Sequence, residues 1–178
     1  VINRAGYAGI QRYAQVWGGD NLTDWKTVKF NLATIMGMGL SGCANMGCDI
    51  GGFAGGAPGG ELLLRWIQSG IFQPRFTINS ANDDNTVTQP WMYEEHLPQV
   101  QAAYALRYRL LPYLYSLMYE ASRTGMPVMR PLFLEFPEDV ECYRDKNLTF
   151  MFGPALLVAN VVEEGAAERT VYLPAGTK

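Results

Sequence analysis

The stretch Tyr13-Ala14-Gln15-Val16-Trp17-Gly18-Gly19-Asp20 decides the fold, because an apolar run ends there in two glycines and an acid. This order is typical of a short buried strand whose carboxyl end presents a polar side chain, here Asp20. The same transition recurs over residues 40–49, where small and apolar residues lead into Asp49. Residues 71–78 form a third strand candidate, and a polar loop follows over residues 79–85.

Two amphipathic segments separate these strand candidates. Thr23 is a possible N-cap of the first helix, which Gly37 and Gly39 are expected to end. Residues 61–69 predict the second helix. The apolar positions at helical spacing are Trp25, Val28, Leu32, Ile35 and Met36 in the first, and Leu62, Leu63, Trp66 and Ile67 in the second. Alternating strands and helices favour βα units and a parallel sheet.

In a (β/α)8 barrel, the carboxyl ends of the parallel strands form the active site. Three strand candidates cannot close such a barrel. We therefore predict an α/β fold in which this chain is the C-terminal portion of a (β/α)8 TIM barrel, with the remaining strands supplied by an upstream segment. Because unpaired sheet edges favour association, residues 1–178 alone are expected to be poorly soluble or to oligomerise. A cooperatively unfolding monomer in sedimentation and calorimetry would contradict this expectation.

The last part of the chain changes from helix to strand. From about Glu94 to Arg123 the pattern is helical and rich in aromatic residues; Pro112 is expected to kink or split this helix, and Gly125 to cap it. Short β-type runs then follow at residues 128–136, 148–152, 156–162 and 169–173. We therefore divide the chain into residues 1–126, the barrel portion, and residues 127–178, the start of an antiparallel β domain.

Composition excludes several classes of function. The net charge of −3 and the lack of a basic run argue against a nucleic-acid partner. No apolar stretch reaches the length of a membrane span. The three cysteines Cys43, Cys48 and Cys142 lack a disulfide-framework spacing and are expected to be free thiols. With His96 as the only histidine, a metal site and a Ser–His–Asp or Cys–His centre are both disfavoured. Carboxylates are therefore the expected acid–base groups.

Four aspartates are candidates for that role. Asp20, beside Trp17, is either a partly desolvated acid with a raised pKa or a turn residue before the helix. Asp49 has the same two interpretations, and Asp83 and Asp84 are interpreted as solvated loop residues.

The remaining motifs concern the loops and the aromatic residues. The glycine-rich run at residues 51–60 lacks the Gly-Lys-Ser/Thr of a phosphate loop, and we interpret it as a tight turn near a ligand. Trp25 and Trp66 are expected in the core. Trp17 and Phe53, at the predicted loop ends, are better candidates for stacking on a sugar ring.

Taken together in order, the motifs of this chain resemble glycoside hydrolase family 31. The resemblance rests on the following segments: Arg4, Arg12-Tyr13, Trp17-Gly18-Gly19-Asp20-Asn21, Trp25, Gly39-Leu40-Ser41-Gly42, Asp49-Ile50-Gly51-Gly52-Phe53, residues 65–74, residues 107–115, residues 125–131 and residues 153–159. They cover nearly the whole chain.

The resemblance implies a (β/α)8 catalytic barrel followed by β-sandwich domains, and retaining hydrolysis of α-linked sugars without a metal or organic cofactor. It implies that Asp20 is the general acid/base. Arg4, Trp17, Asp49 and Phe53 would line the pocket for the non-reducing-end sugar. The resemblance implies that the nucleophilic aspartate lies upstream of Val1. Retaining chemistry needs two carboxylates about 5–5.5 Å apart, and Asp20 alone cannot supply both roles.

One position departs from the family pattern. Ungapped counting from Pro74 places Asn79 where members usually have a histidine that contacts the sugar hydroxyls. The expected partner is an oligosaccharide or other α-glycoside, and the expected activity is that of an α-glucosidase. The alternatives are an α-xylosidase, an α-galactosidase, an α-N-acetylgalactosaminidase, a non-catalytic carbohydrate-binding protein and an inactive fragment.

Overall fold

Five short parallel strands carry the first half of the fold. The computed structural model describes residues 1–146 and 148–175. Its first strands are β1 (Ile2–Asn3), β2 (Gln15–Trp17), β3 (Met46–Gly47), β4 (Asp49–Ile50) and β5 (Thr77–Ile78). β1 pairs with β2, β2 with β3, and β4 with β5, all in parallel. The parallel pairing predicted from the sequence is thus confirmed.

β3 and β4 are separated by a single residue, Cys48. The backbone N–H of Cys48 donates to Gln73 Oε1 at 3.2 Å, and the backbone N–H of Arg75 donates to the carbonyl of Met46 at 3.4 Å. These two hydrogen bonds join residues 73–75, just before β5, to residues 46–48 of β3 and the residue after it. Asp20 lies in the loop after β2, Asp49 begins β4 directly after β3 and Cys48, and Asn79 follows β5.

The first two helices, α1 (Trp25–Leu40) and α2 (Gly60–Gly70), lie between these strands. The predicted cap of α1 is wrong: Asp24 is the N-cap, and its Oδ1 accepts from the backbone N–H of Thr27 at 2.6 Å. The Thr23 hydroxyl donates instead to the carbonyl of Ala54 at 3.2 Å. Thr23 is therefore engaged by the loop after β4 and is unavailable to the helix.

Replacing Asp24, the N-cap residue of α1, should change the stability of the protein alone. Asp24→Ala removes the acceptor for the N–H of Thr27 and should lower the free energy of unfolding by about 1 kcal/mol. Thermal denaturation measures this loss. Asp24→Asn, which keeps a capping oxygen, is the control. An Asp24→Ala variant as stable as the parent would contradict the cap assignment.

α1 also runs through Gly37 and Gly39 to Leu40, where the sequence predicted an end. A Cβ atom at Gly39 would lie 2.8 Å from the Cβ of Pro127. Gly39 therefore serves close packing between α1 and the segment at Pro127, and it does not terminate the helix.

The third helix, α3 (Leu97–Thr124), is continuous. Pro112 does not split it, contrary to the sequence prediction. Pro112 and Tyr108 are both exposed, so water can satisfy the carbonyl that loses its partner at the proline. Gly125 ends the helix with φ 78°, as predicted, and its N–H donates to the carbonyl of Ala121 at 2.9 Å.

The remainder forms a small antiparallel sheet of β6 (Met129–Pro131), β7 (Phe150–Phe152) and β8 (Leu156–Val158), with the one-turn helix α4 (Leu132–Glu135) after β6. Short 3₁₀ helices occur at Ile10–Arg12, Pro90–Met92, Glu94–His96 and Val140–Tyr143. The antiparallel pairing was predicted correctly.

Several predicted strands are shorter than expected, and one is absent. Of residues 128–136 only Met129–Pro131 is strand, because Leu132–Glu135 forms α4, and residues 148–152 and 156–162 shorten to Phe150–Phe152 and Leu156–Val158. Residues 71–74 turn out of α2, since the N–H of Ile71 donates to Ile67 and that of Gln73 donates to Gly70, so only Thr77–Ile78 is strand. Residues 169–173 are not assigned as strand. Their side chains bond instead: Arg169 donates to Thr149 Oγ1 at 2.6 Å, and the Tyr172 hydroxyl to Asp139 Oδ2 at 2.8 Å.

One hydrophobic core joins the helices to the antiparallel sheet. It includes Ile35, Trp66, Leu117, Phe150 and Phe152 among its buried residues. Trp66 is 1% exposed, as predicted for the core, while Trp25 is half-buried and packs against it. Cys43, Cys48 and Cys142 are free thiols, and the latter two are buried.

A buried arginine, Arg130, also connects the antiparallel sheet to the helices. Arg130 at the centre of β6 is 3% exposed, and its guanidinium lies 2.9 Å from Glu120 of α3 and 2.5 Å from Glu135 of α4. Its Nε donates to the carbonyl of Pro127 at 2.7 Å, and the Tyr113 hydroxyl of α3 donates to the carbonyl of Phe152 at 3.1 Å. None of the described helices has both the length and the apolarity needed to cross a membrane.

Candidate active site

Asp20 stands at the tip of the loop that follows β2. Gly19 precedes it with φ 79°, a conformation that side chains with a Cβ rarely adopt, and a Cβ there would lie 3.1 Å from Arg4 Nε. Arg4 Nη2 lies 3.5 Å from Asp20 Oδ2. The two side chains are 60% and 41% exposed, so the acid is less buried among the described residues than the sequence predicted.

Asp49 is the opposite case, because its carboxylate is completely buried. Arg75 Nη2 lies 2.8 Å from Asp49 Oδ1, and the two side chains are 7% and 0% exposed. Asn79 Nδ2 donates to the other oxygen, Oδ2, at 3.5 Å. Burial raises the pKa of Asp49, the contacts with Arg75 and Asn79 oppose this, and the charge of Asp20 adds to the rise. The charge of Asp20 therefore acts on Asp49.

Asn21 connects the loops that follow β2, β4 and β5 through hydrogen bonds. Its side-chain Nδ2 donates to the carbonyl of Asp49 at 2.9 Å. Its own carbonyl accepts from the backbone N–H of Phe53 at 2.7 Å, and the carbonyl of Phe53 accepts from Ala81 at 2.7 Å. The loops that follow β2, β4 and β5 are thus joined by hydrogen bonds next to Asp20.

The aromatic candidates lie on the same strands and loops. Trp17 closes β2, and Phe53 belongs to the loop after β4; both are half-buried, so part of each ring stays accessible. Arg4, Trp17, Asp20, Asp49, Phe53 and Asn79 are therefore all carried by strand ends or by the loops that follow them. An acid, a basic partner, a buried polar pair and two rings suit recognition of a polar ligand with apolar faces.

The other titratable residues have structural partners. Asp83 Oδ1 accepts from the N–H of Gly55 at 3.2 Å, and Asp84 Oδ1 accepts from the N–H of Thr86 at 3.0 Å, which suits the predicted loop roles. His96 is the N-cap residue of α3, and its Nε2 lies 3.5 Å from Glu95 Oε1. Across residues 1–146 and 148–175, no cluster of three or more His, Cys, Asp or Glu side chains could hold a metal ion.

The sequence analysis did not identify two polar residues as part of the site, Arg75 and Asn21. Arg75 lies two residues before Thr77 and four before Asn79, and alternate residues of an extended segment share one face. This alternation is the signal that could have revealed Arg75. Asn21 carries no comparable signal, because its bond to the carbonyl of Asp49 joins residues 28 apart in sequence.

Comparison with known proteins extends over the whole chain. The model of the glycosyl hydrolases family 31 TIM-barrel domain matches residues 1–117, and that of the family's C-terminal domain matches residues 125–178. A probable glucan 1,3-alpha-glucosidase of Oryza sativa subsp. japonica is 46% identical over 175 residues, 98% of this chain and 19% of that protein. Alpha-glucosidase 2 of Bacillus thermoamyloliquefaciens is 42% identical over 177 residues, 99% of this chain and 22% of that protein.

Solved structures agree with these matches. A GH31 alpha-xylosidase from a soil metagenome, complexed with xylose, superposes with a TM-score of 0.92 at 34% identity, covering 98% of this chain and 29% of that one. A GH31 dextranase of Flavobacterium johnsoniae, complexed with glucose, gives 0.89 at 38% identity, with 97% and 22% covered. The chain spans about a fifth of the length of the curated relatives it matches. On the family model that matches most of its length, this chain belongs to glycosyl hydrolase family 31.

Proposed function

We propose that this chain forms the acid/base-bearing part of a retaining α-glycosidase that removes non-reducing-end α-linked sugars, with α-glucosides as the favoured substrates. The observation that carries the proposal is an accessible carboxylate, Asp20, whose charge acts on a buried carboxylate, Asp49. Two carboxyl groups in such different surroundings suit two different roles. The alpha-glucosidases among the relatives support the choice of sugar.

In this proposal Asp20 protonates the leaving oxygen as the glycosidic bond breaks, and then takes a proton from the water that releases the sugar. Its exposed carboxylate can reach both the aglycone and water. The guanidinium of Arg4, 3.5 Å away, stays within reach as the charge of the acid changes. We propose that the nucleophilic carboxylate comes from a strand other than those described here. No metal or organic cofactor takes part in these steps.

The remaining residues would bind the sugar. Asp49 Oδ2 and the amide of Asn79 offer an acceptor and a donor side by side, which suits neighbouring sugar hydroxyls. Trp17 and Phe53 would contact the apolar face of the ring. We also propose a domain boundary near residue 126, which the extents of the two family models support.

A second candidate within the same class is an α-xylosidase, favoured by the similarity to the xylose-bound alpha-xylosidase structure. A candidate of another class is a carbohydrate-binding protein that uses the same pocket without turnover.

A substrate panel tests these alternatives. The longest natural chain containing these residues would be assayed on p-nitrophenyl α-glucoside, α-xyloside, α-galactoside and α-N-acetylgalactosaminide. Proton NMR would identify the anomer released first. We expect α-glucoside cleavage with the α-anomer appearing first. A β-anomer would overturn the retaining mechanism, preference for another sugar would reassign the substrate, and sugar binding without cleavage would favour the binding protein.

A further inference from the structure

We propose that Arg75 is a positioning residue, which fixes the carboxylate of Asp49 so that Oδ2 faces Asn79 and the sugar. The inference rests on the proposed function, because it assigns a purpose to a residue next to the sugar pocket. Arg75 would act through Asp49 without touching substrate itself.

The strand register carries the argument. Asp49 is paired with Thr77 across β4 and β5. Arg75, Thr77 and Asn79 alternate along the extended segment and therefore share its face, one before and one after the residue opposite Asp49. Arg75 Nη2 contacts Oδ1 at 2.8 Å, while Asn79 Nδ2 contacts Oδ2 at 3.5 Å. Within the described residues, the buried carboxylate is thus contacted by Arg75 at one oxygen and by Asn79 at the other.

The backbone at Arg75 is itself held in place. Its N–H donates to the carbonyl of Met46 at 3.4 Å, and its carbonyl oxygen sits 2.2 Å from the point that a Cβ on Gly47 would occupy. Such close packing against β3 leaves the guanidinium little freedom to move away from Asp49. Within residues 1–146 and 148–175, Arg75 Nε and Nη1 and also Asp49 Oδ1 have no partner with hydrogen-bond geometry, so the 2.8 Å contact between Arg75 Nη2 and Asp49 Oδ1 is an ion pair. Within this part of the chain, Asp49 is the charged group that engages Arg75.

Arg107 provides a comparison in the same region. It is buried like Arg75, and both line a cavity of about 450 Å³. Its guanidinium, however, donates to the carbonyls of Ile71, Gln73 and Pro74 at 2.6, 2.7 and 3.2 Å. Arg107 therefore supports the backbone before β5, whereas Arg75 supports a side chain of the site.

The contact also affects the charge of Asp49. Burial and three groups affect this carboxylate: its own burial and the charge of Asp20 raise its pKa, while Arg75 and Asn79 lower it. Removing Arg75 should therefore raise the pKa of Asp49 further. If the charged form binds the sugar, activity is then lost at a higher pH than in the parent as the solution is acidified.

Kinetics of Arg75→Met and Arg75→Lys in the longest natural chain would test the proposal, with Arg107→Lys as control. We expect Arg75→Met to lower kcat/KM by about 100-fold, mainly through KM, and to move the acidic limb of the pH profile upward. Arg75→Lys keeps the charge and should restore the acidic limb without restoring KM in full. Arg107→Lys keeps a cation beside the carbonyls before β5, so it should change KM and the acidic limb far less than Arg75→Met does. Unchanged KM and an unchanged limb in Arg75→Met would overturn the positioning role.

A readout independent of turnover separates this proposal from the proposed function. A double-mutant cycle of thermal unfolding would use Arg75→Met, Asp49→Asn and the double variant. We expect the double variant to be more stable than Arg75→Met alone, because it no longer buries an unpaired charge. Additive effects would overturn the pairing. If the parent cleaves no substrate, the proposed function fails while the cycle still reports the pair. If Arg75→Met does not fold, Arg75→Lys carries the kinetic test.

Discussion

Asp20→Asn should lower kcat/KM for an α-glucoside with a poor leaving group by about 10²- to 10⁴-fold, the usual contribution of a general acid. Asparagine matches the shape of aspartate but cannot deliver the proton that the departing oxygen needs. The loss should shrink for an aryl glycoside whose phenol is acidic, since that group departs without protonation. Comparing methyl and 2,4-dinitrophenyl α-glucosides in steady-state kinetics measures this difference.

The matched control is Asp24→Asn, four residues further along the same loop. Asp24 caps α1, and asparagine caps nearly as well, so both activity and stability should remain close to the parent. If Asp20→Asn is as active as the parent on the methyl glucoside, Asp20 is not the general acid. An equal loss on both substrates would also argue against proton delivery.

Gly47→Ala should lower the free energy of unfolding by about 3 kcal/mol, at the upper end of the usual cost of overpacking. A Cβ at Gly47 would lie 2.2 Å from the carbonyl oxygen of Arg75 and 2.8 Å from its Cβ. The nearest obstacle is a backbone atom, so no side-chain rotation relieves the clash. The segment before β5 must move, and Arg75 would shift away from Asp49. Chemical denaturation measures the loss, and sugar hydrolysis should fall with it.

Gly37→Ala supplies the matched control within the same chain. It lies in α1, and a Cβ there would meet nothing within 4 Å. Alanine should therefore raise the free energy of unfolding by about 0.5–1 kcal/mol, the ordinary advantage over glycine in a helix. A Gly47→Ala variant that unfolds like the parent would contradict the tight packing between β3 and the segment before β5.

Local patterns predicted the elements and the acids at their ends well. The runs into Asp20 and Asp49 correctly indicated parallel strands that present polar residues, and the glycine at Gly125 correctly indicated the end of α3. These features depend on hydrophobic spacing and on backbone conformation close in sequence. The binding and catalytic roles of Arg4, Trp17, Asp20, Asp49, Phe53 and Asn79 stay predictions.

Several failures share a cause, because they depended on a contact between distant residues. Thr23 and Asp24 are both good caps, and the carbonyl of Ala54, 31 residues away, engages the threonine. From the sequence alone, Gly39 indicates a helix end. In the structure, Pro127 packs closely against Gly39. Arg75 sits in an apolar run that predicts a plain strand, and its meaning depends on Asp49 in the neighbouring strand. Sequence spacing can place Arg75 on the same face as Asn79, but it does not identify the partner in the neighbouring strand.

Arg130 is buried and forms ion pairs with Glu120 and Glu135, and this affects whether the chain can be divided into two parts that fold separately. Cutting between residues 126 and 127 would separate Arg130 from Glu120. The buried guanidinium would then keep one of its two carboxylate partners, Glu135. It would also divide the core shared by Trp66 and Phe150. The two family modules are therefore one unit for hydrogen exchange and for protease resistance. Amides in α3 and β7 should exchange through a common opening event, and expression of either module alone should yield aggregates.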